Sequence, residues 1–423
     1  MTETGAPPQH PIRKFFSDLG PGLITGAAED DPSGISTYSV TGAAFGLTAL
    51  WTALFTFPLM AAVQLMCARL GMVSGRGLAA NIRRRYPKWV MWSACAILLV
   101  ANIFNIGADL AGMSDAMAMV TGIRPVIWSP FFALVLVALV VFASYRLVAR
   151  IFKWLTLVLF AYVITAFLVH PAWKPILEAT LIPRIEWTKE YFAVLVGLFG
   201  TTISPYLFFW QSAEEVEEER SQGRKTLGQR QGATDLELSA ARTDVLTGMF
   251  FSNLVMYFII LTTAATLHAH GFKDIQTAKD AAEALRPLAG NGAYLLFTLG
   301  IVGTGMLAIP VLAGSSAYAV AESAAWAGSL DAKLRIMPKF YGVLALAVVI
   351  GLSLDFGGFN SVRMLFLSAV LNGLLAPPLI VLVILLTNDA TVMGSRKNGL
   401  LIRTLGWLCA GVMALCGIGM FVS

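Results

Sequence analysis

Residues 20–39 read Gly-Pro-Gly-Leu-Ile-Thr-Gly-Ala-Ala-Glu-Asp-Asp-Pro-Ser-Gly-Ile-Ser-Thr-Tyr-Ser, which puts three consecutive acids and a proline inside an apolar span. An ionisable side chain at membrane depth is costly unless it faces a polar cavity or a partner, so Glu29, Asp30 and Asp31 are candidate functional residues. Pro32 has no N–H and Gly34 is permissive, so a regular helix cannot continue through them, and freed carbonyls at that depth must line a cavity. The stretch therefore predicts a discontinuous transporter helix.

The composition around this stretch is that of a membrane protein. Of the 423 residues, 57% are hydrophobic and 13% are charged, and the mean hydropathy is +0.73. Such values lie far outside the range of soluble globular proteins and predict a polytopic membrane protein whose partner is the lipid bilayer. Residues 1–17 are polar and predict a short cytoplasmic tail without a signal peptide, followed by a single transmembrane domain from 18 to 423.

Several classes of function are not indicated. The four cysteines lie in apolar segments without metal-ligand spacing, and no cofactor is expected. No Ser/His/Asp arrangement, phosphate loop or zinc-ligand spacing is present, so the sequence does not favour an enzyme. The net charge of +5 is spread over loops, which gives no reason to expect nucleic acid as a partner, and nothing requires an oligomer.

Eleven apolar segments are long enough to cross a bilayer, centred near residues 32, 60, 105, 135, 158, 203, 254, 308, 346, 374 and 411. If the N-terminus is cytoplasmic, 22 basic residues fall in loops on the cytoplasmic face and seven in the other loops. The cytoplasmic groups are Arg13 and Lys14, Arg69 to Lys88, Arg146 to Lys153, Arg220 to Arg242, Lys333 to Lys339 and Arg396 to Arg403. This asymmetry predicts a cytoplasmic N-terminus and, with an odd number of spans, a C-terminus on the opposite side, in a bacterial inner membrane.

A second interruption occurs in the sixth predicted span. Gly200, Thr201, Thr202 and Ser204 precede Pro205 in an apolar context. Spans one and six occupy corresponding positions in two halves of five spans. Paired interruptions of this kind predict an all-α inverted-repeat transporter with its site near the midplane of the membrane.

These residues together resemble the natural resistance-associated macrophage protein (Nramp) family of proton-coupled divalent-metal transporters. Asp31-Pro-Ser-Gly is similar to the family's Asp-Pro-Gly-Asn motif, and Ser204-Pro205-Tyr206 stands where the family has Met-Pro-His. Residues 108–112, Ala-Asp-Leu-Ala-Gly, are similar to its third-helix Thr-Asp-Leu-Ala-Glu, and residues 386–394 are similar to its stretch after helix ten. The resemblance covers nearly the whole chain and implies a LeuT-type fold of about eleven helices, with helices one and six broken.

The resemblance also implies a site, and this chain departs from it at the ligands. Asp31 matches the metal-binding Asp, whereas the remaining positions differ: Gly34 for Asn, Ser204 for Met, Thr201 for Ala, Tyr206 for His and Gln211 for a second His. The soft thioether is absent and only oxygen ligands remain, which suit hard ions such as Mg²⁺, with Mn²⁺ next. The smaller side chains are expected to leave room for water on the ion.

The proton pathway that the resemblance implies is only partly matched. Asp109 is retained, but Gly112 stands where the family pattern has Glu. Asp109, Glu29 and Asp30 are the candidates for a proton pathway, because such relays depend on chains of acids or histidines within the membrane. Transport with and without protons both remain open.

Alternatives remain for the individual residues and for the class. Asp31 could have a structural role instead of binding substrate, as the N-cap of the second half-helix. Ser204 and Thr201 could likewise donate hydrogen bonds to freed backbone carbonyls instead of binding substrate. The substrate itself is either a divalent cation or, in a carrier that has lost metal binding, a small neutral or cationic organic solute. A membrane receptor or sensor is less favoured, because a soluble output domain would be expected in the chain.

Overall fold

In a computed structural model, the chain is described over residues 20–142 and 155–422. The predicted tail, residues 1–17, and the basic group from Arg146 to Lys153 lie outside the described residues. The α-helices within them are, in chain order, α1 (Pro21–Glu29), α2 (Pro32–Phe45), α3 (Trp51–Ser74), α4 (Leu78–Arg85), α5 (Lys88–Thr121), α6 (Pro125–Phe142), α7 (Phe160–Leu168), α8 (Trp173–Leu181), α9 (Lys189–Thr202), α10 (Pro205–Ser221), α11 (Leu227–Arg230), α12 (Asp235–Thr266), α13 (Ala278–Ala282), α14 (Arg286–Ala289), α15 (Ala293–Ser323), α16 (Pro338–Asp355), α17 (Ser361–Asn388), α18 (Ala390–Met393) and α19 (Leu400–Val422).

The predicted spans correspond to helices. Within the described residues, nine helical stretches are long and apolar enough to cross a membrane, and each contains one of the predicted centres. The other two centres, near residues 32 and 158, fall at the junction of α1 with α2 and in the shorter apolar helix Leu157–Leu168.

Both predicted interruptions are present, and they have the same backbone design. Asp31 precedes Pro32 with φ −68° and ψ 171°, and Ser204 precedes Pro205 with φ −77° and ψ 138°. A residue before proline is pushed to extended backbone, whereas proline itself is well suited to the first position of a helix. Each proline therefore ends one half-helix and starts the next, which leaves carbonyls and N–H groups free at the two breaks.

The half-helix α1 packs tightly against α12 because glycines meet at the contact. A Cβ atom added at Gly22 would lie 2.6 Å from the backbone nitrogen of Val245, and one at Gly26 would overlap the backbone of Gly248. In the other broken helix, Gly200 of α9 meets the backbone of α17 at Gly373 in the same way. Close approach of backbones through small residues is typical of helix packing in membranes.

Several basic loops meet at one end of the bundle. Arg69 donates hydrogen bonds to the Asn398 side chain at 3.0 Å and to the Arg396 carbonyl at 2.8 Å. Arg396 in turn pairs with Asp235, and the amide of Gly232 donates to the carbonyl of Val73 at 2.9 Å. Segments far apart in sequence thus form one polar face.

Candidate functional site

Four carboxylates are buried at or beside the break between α1 and α2. Glu29 and Asp109 are 0% exposed, Asp31 is 2% exposed and Asp30 is 4% exposed. Three of them are adjacent in the chain, and α5 brings Asp109 to the same place, where it interacts electrostatically with Asp31. In the described parts of the chain, no ion pair includes any of these four carboxylates.

Asp31 has two separate sets of contacts. Its Oδ1 accepts hydrogen bonds of 2.7 Å from the Gly34 amide and from the Ser33 hydroxyl, so it caps the N-terminus of α2. Its Oδ2 lies 3.5 Å from Nδ2 of Asn105, a long and weak contact. The capping role is therefore present, and it leaves the second oxygen available to another partner.

Glu29 and Asp30 end the half-helix α1. Oδ1 of Asp30 accepts a hydrogen bond of 3.2 Å from the hydroxyl of Ser252 on α12. For Glu29, neither carboxylate oxygen has a hydrogen-bond partner of acceptable geometry among the described residues. A buried acid left in this state is costly unless a cation, a proton or water satisfies it.

At the second break, the hydroxyls of Ser204 and Thr201 bind backbone. Ser204 Oγ lies 2.5 Å from the Gly200 carbonyl and 2.9 Å from the Thr201 carbonyl, and Thr201 Oγ1 donates to the Leu198 carbonyl at 3.0 Å. These contacts satisfy carbonyls of the last turn of α9, as the structural alternative for these residues expects.

Tyr206 and Gln211 point to different parts of α1. The Tyr206 hydroxyl donates to the Ala28 carbonyl at 2.9 Å, so it satisfies a carbonyl next to the first break. Gln211 instead bridges Thr25, at 2.6 Å, and Glu215, at 2.8 Å. Tyr206 therefore belongs to the region of the acids, whereas Gln211 joins α1 to α10 farther along both helices.

The two glycines that stand where the family pattern has Asn and Glu, Gly34 and Gly112, are enclosed by neighbours. A Cβ atom at Gly34 would stand 3.2 Å from the Glu29 carbonyl oxygen and 3.4 Å from the Tyr38 hydroxyl. One at Gly112 would stand 2.8 Å from Leu365 of α17. The space left by the missing Asn is narrow, and an apolar side chain closes the position of the missing Glu.

Two residues with a direct bearing on the site were not predicted from the sequence. Asn105 on α5 approaches Asp31, and its spacing of four residues from Asp109 was the available signal. Asp244 on α12 caps the start of α1, because it accepts from the amides of Gly20 at 2.9 Å, Gly22 at 2.6 Å and Leu23 at 3.2 Å. No local pattern connects Asp244 to a helix more than 200 residues earlier.

The site is thus an anionic, oxygen-lined break. Among the described residues, no group of three or more His, Cys, Asp or Glu side chains has a geometry that could hold a metal ion. Its carboxylates lack basic partners in the described parts of the chain, and its other polar groups are hydroxyls, amides and carbonyls. Such a region can take up a cation or protons, and it disfavours an anion.

Comparisons with known proteins agree with this architecture. The family model described as Natural resistance-associated macrophage protein-like matches residues 22–423. The divalent metal cation transporter MntH of Yersinia enterocolitica is 26% identical over 98% of this chain and 97% of its own length. The MntH of Aeromonas hydrophila is 26% identical over 95% of each chain.

Two solved structures share the fold. A manganese transporter from Eremococcus coleocola, in complex with an aromatic bis-isothiourea substituted compound, has a TM-score of 0.75 and 18% identity, covering 98% of this chain and 88% of that one. Mhp1, a nucleobase-cation-symport-1 family transporter in a closed conformation with bromovinylhydantoin bound, has a TM-score of 0.60 and 14% identity, covering 96% and 91%. From the family match, the broken helices and these likenesses, we conclude that the chain belongs to the Nramp family and is a multi-pass membrane protein with the LeuT-type inverted-repeat fold.

Proposed function

We propose that this protein is a secondary-active carrier of a divalent cation, with Asp31 as the fixed charge that recognises it. The observation that carries the proposal is the burial of Glu29, Asp30, Asp31 and Asp109 at one helix break without a basic partner in the described residues. Uncompensated carboxylates at membrane depth favour a cationic substrate, because a cation offsets their cost of burial. The names of the MntH relatives support the same class of substrate.

The ligands favour a hard ion. Carboxylate, amide, hydroxyl and carbonyl oxygens are present at the breaks, and Ser204 stands where a thioether would favour transition metals. Mg²⁺ commonly binds through one or two carboxylates and keeps several waters, so it is the substrate we favour, with Mn²⁺ as the next candidate. The Glu29 carbonyl and the Tyr38 hydroxyl lie close to Gly34, so the space beside this glycine is narrow.

We propose Asp109 as the group that would hold a proton beside the cation. It is fully buried and interacts with Asp31, so a proton on one carboxylate and a cation on the other would influence each other. The position of Gly112 is closed by Leu365 and offers no titratable group. A weakly coupled or uncoupled carrier is therefore expected, and Glu29 and Asp30 remain candidates for holding a proton.

The remaining contacts assign supporting roles. Thr201 and Ser204 present carbonyl and hydroxyl oxygens at the second break, and Tyr206 holds the end of α1 through the Ala28 carbonyl. We propose that Gln211 supports the pathway beyond the break and does not bind the ion together with Asp31.

Uptake into proteoliposomes tests the proposal. Mg²⁺, Mn²⁺ and Cd²⁺ uptake should be measured with and without an inward proton gradient, together with calorimetric titration of the purified protein. We expect weak binding without a preference for Cd²⁺ and little effect of the gradient. Tight, Cd²⁺-preferring binding would rule out the hard-ion assignment, and a lack of uptake or binding of all three ions would rule out a divalent substrate.

A second candidate is a small cationic or neutral organic solute. It is favoured by the lack, in the described residues, of three grouped metal-binding side chains. A carrier with this substrate would bind none of the three ions in the same titration.

The topology we propose is a single transporter domain from 18 to 423, built from two five-helix repeats and a final helix, with residues 1–17 as a cytoplasmic tail. Several of the loops rich in basic residues meet at one end of the bundle, and we assign that end to the cytoplasm of a bacterial inner membrane. The C-terminus would then lie on the opposite side.

A further inference from the structure

Helix α5 carries a row of polar side chains that face the interior. Asn102, Asn105 and Asp109 are spaced three and four residues apart, so they share one face of the helix. All three are fully buried. A row of this kind within a membrane span requires partners or a function.

The nitrogen and oxygen atoms of this row differ in their hydrogen-bond partners. Asn102 donates from Nδ2 to α15, at 2.9 Å from the Leu312 carbonyl and 2.8 Å from the Ser315 hydroxyl. Asn105 directs Nδ2 towards Asp31. Among the described residues, Oδ1 of both asparagines and both carboxylate oxygens of Asp109 have no hydrogen-bond partner of acceptable geometry.

The two asparagines differ in what holds them. Asn102 is fixed by several short contacts to α15, which explains its burial. Among the described residues, the Asn105 side chain makes a single hydrogen-bond contact, at 3.5 Å, near the outer limit for a hydrogen bond. A half-turn of the amide about its last torsion, which costs only this weak contact, would bring Oδ1 towards Asp31 in place of Nδ2.

We propose that Asn105 is a direct ligand of the transported divalent cation, through Oδ1, beside Oδ2 of Asp31. This inference rests on the proposed function and adds a ligand to it. Gly34 contributes no side chain from α2, and Asn105 of α5 is the side-chain amide that lies beside Asp31. Oδ1 of Asp31 is occupied by the cap of α2, whereas its Oδ2 is the oxygen that faces Asn105.

The resulting ligand set fits a partly hydrated hard ion. It has one carboxylate oxygen and one amide oxygen, with the Asp109 carboxylate one helical turn farther along α5. An octahedral ion bound in this way would complete its shell with several waters. Nδ2 of Asn105 lies nearest to Asp31 in this structure, whereas Oδ1 of the same amide would coordinate a bound cation.

A change of ligand softness tests whether Asn105 touches the ion. In Asn105→Met the side chain offers a thioether, so binding of Cd²⁺ relative to Mg²⁺ should rise about 10-fold or more in calorimetric titration. Asn105→Ala should weaken Mg²⁺ and Mn²⁺ binding by about 10-fold or more, and Asn105→Asp should restore it. Leu110→Met, a buried substitution of similar volume on the same helix, is the matched control and should leave the ratio unchanged.

The outcomes separate the inference from the proposed function. Suppose that the wild-type protein binds divalent cations, that Asn105→Met leaves the ratio of Cd²⁺ to Mg²⁺ affinity as unchanged as Leu110→Met does, and that Asn105→Asp does not restore the affinity lost in Asn105→Ala. Asn105 is then only structural, and the inference is overturned. If the wild-type protein binds no divalent cation, the proposed function fails, and the inference fails with it. Size-exclusion profiles identify variants that do not fold. In that case the affinity of Asn105→Asp, which keeps the side-chain shape, is compared with that of the wild type: binding that is at least as tight supports the inference, and weaker binding overturns it.

Discussion

Replacing Asp31 by asparagine removes the negative charge of this residue but keeps its role as the N-cap of α2. Asparagine is as good an N-cap as aspartate, so the amide oxygen in Asp31→Asn can accept from the Gly34 amide, and the stability of the protein should change little. Two unit charges 4 Å apart attract by about 4 kcal/mol at an effective dielectric constant of about 20, and a divalent ion doubles this to about 8 kcal/mol. If about a third of this attraction remains after the cost of dehydration, removing the charge of Asp31 weakens binding of the ion by about 2.7 kcal/mol, which is about 100-fold in affinity.

The assay compares two variants at one position. Asp31→Asn and Asp31→Ala should both abolish or greatly reduce uptake of Mg²⁺ and Mn²⁺ into proteoliposomes. Only Asp31→Ala should also lose stability, by about 1 kcal/mol, because the cap of α2 is removed. Wild-type uptake by Asp31→Asn would refute the assignment of Asp31 and move the fixed charge to Asp30 or Glu29.

Two further predictions concern regions away from the ion. Asp244→Ala should destabilise α1 by about 2 kcal/mol, since three backbone amides lose a charged acceptor, and hydrogen exchange of residues 20–29 should rise; unchanged exchange would contradict the capping role. The hydrogen bond from Arg85 holds the pKa of Asp389 at about 2, below its ordinary value of 3.8, so the pair stabilises the fold above about pH 4 and this contribution is lost as the pH falls towards 2. Thermal unfolding of wild type and Asp389→Asn should therefore converge as the pH is lowered from about 5 to about 2.5, and a constant difference would contradict the assignment.

The sequence was most informative where its signals are local. Both breaks could be located because a proline, small residues and acids or hydroxyls act on their own backbone within a few residues. The partners of the site were harder to predict. Asn105 looks like any polar residue in a span until α5 places it beside Asp31, and Asp244 reaches α1 from α12 only through the packing of the fold. The narrow space at Gly34 could not be foreseen either, since Tyr38 and the Glu29 carbonyl that bound it are brought there by the geometry of the break.

The glycine contact between α1 and α12 bears on how such a carrier can change substrate over evolution. At Gly22, Gly26 and Gly248 the backbones touch, so even a methyl group would push the helices apart. These positions admit almost no variation, yet none of them contributes a side chain to the chemistry of the break. The hydroxyls of Ser204 and Thr201, in contrast, bind carbonyls of the last turn of α9, and neither residue takes part in the contact between α1 and α12. Exchanges of side chains at the break would therefore leave this helix contact unchanged, and we expect changes of substrate among such carriers to arise at the break.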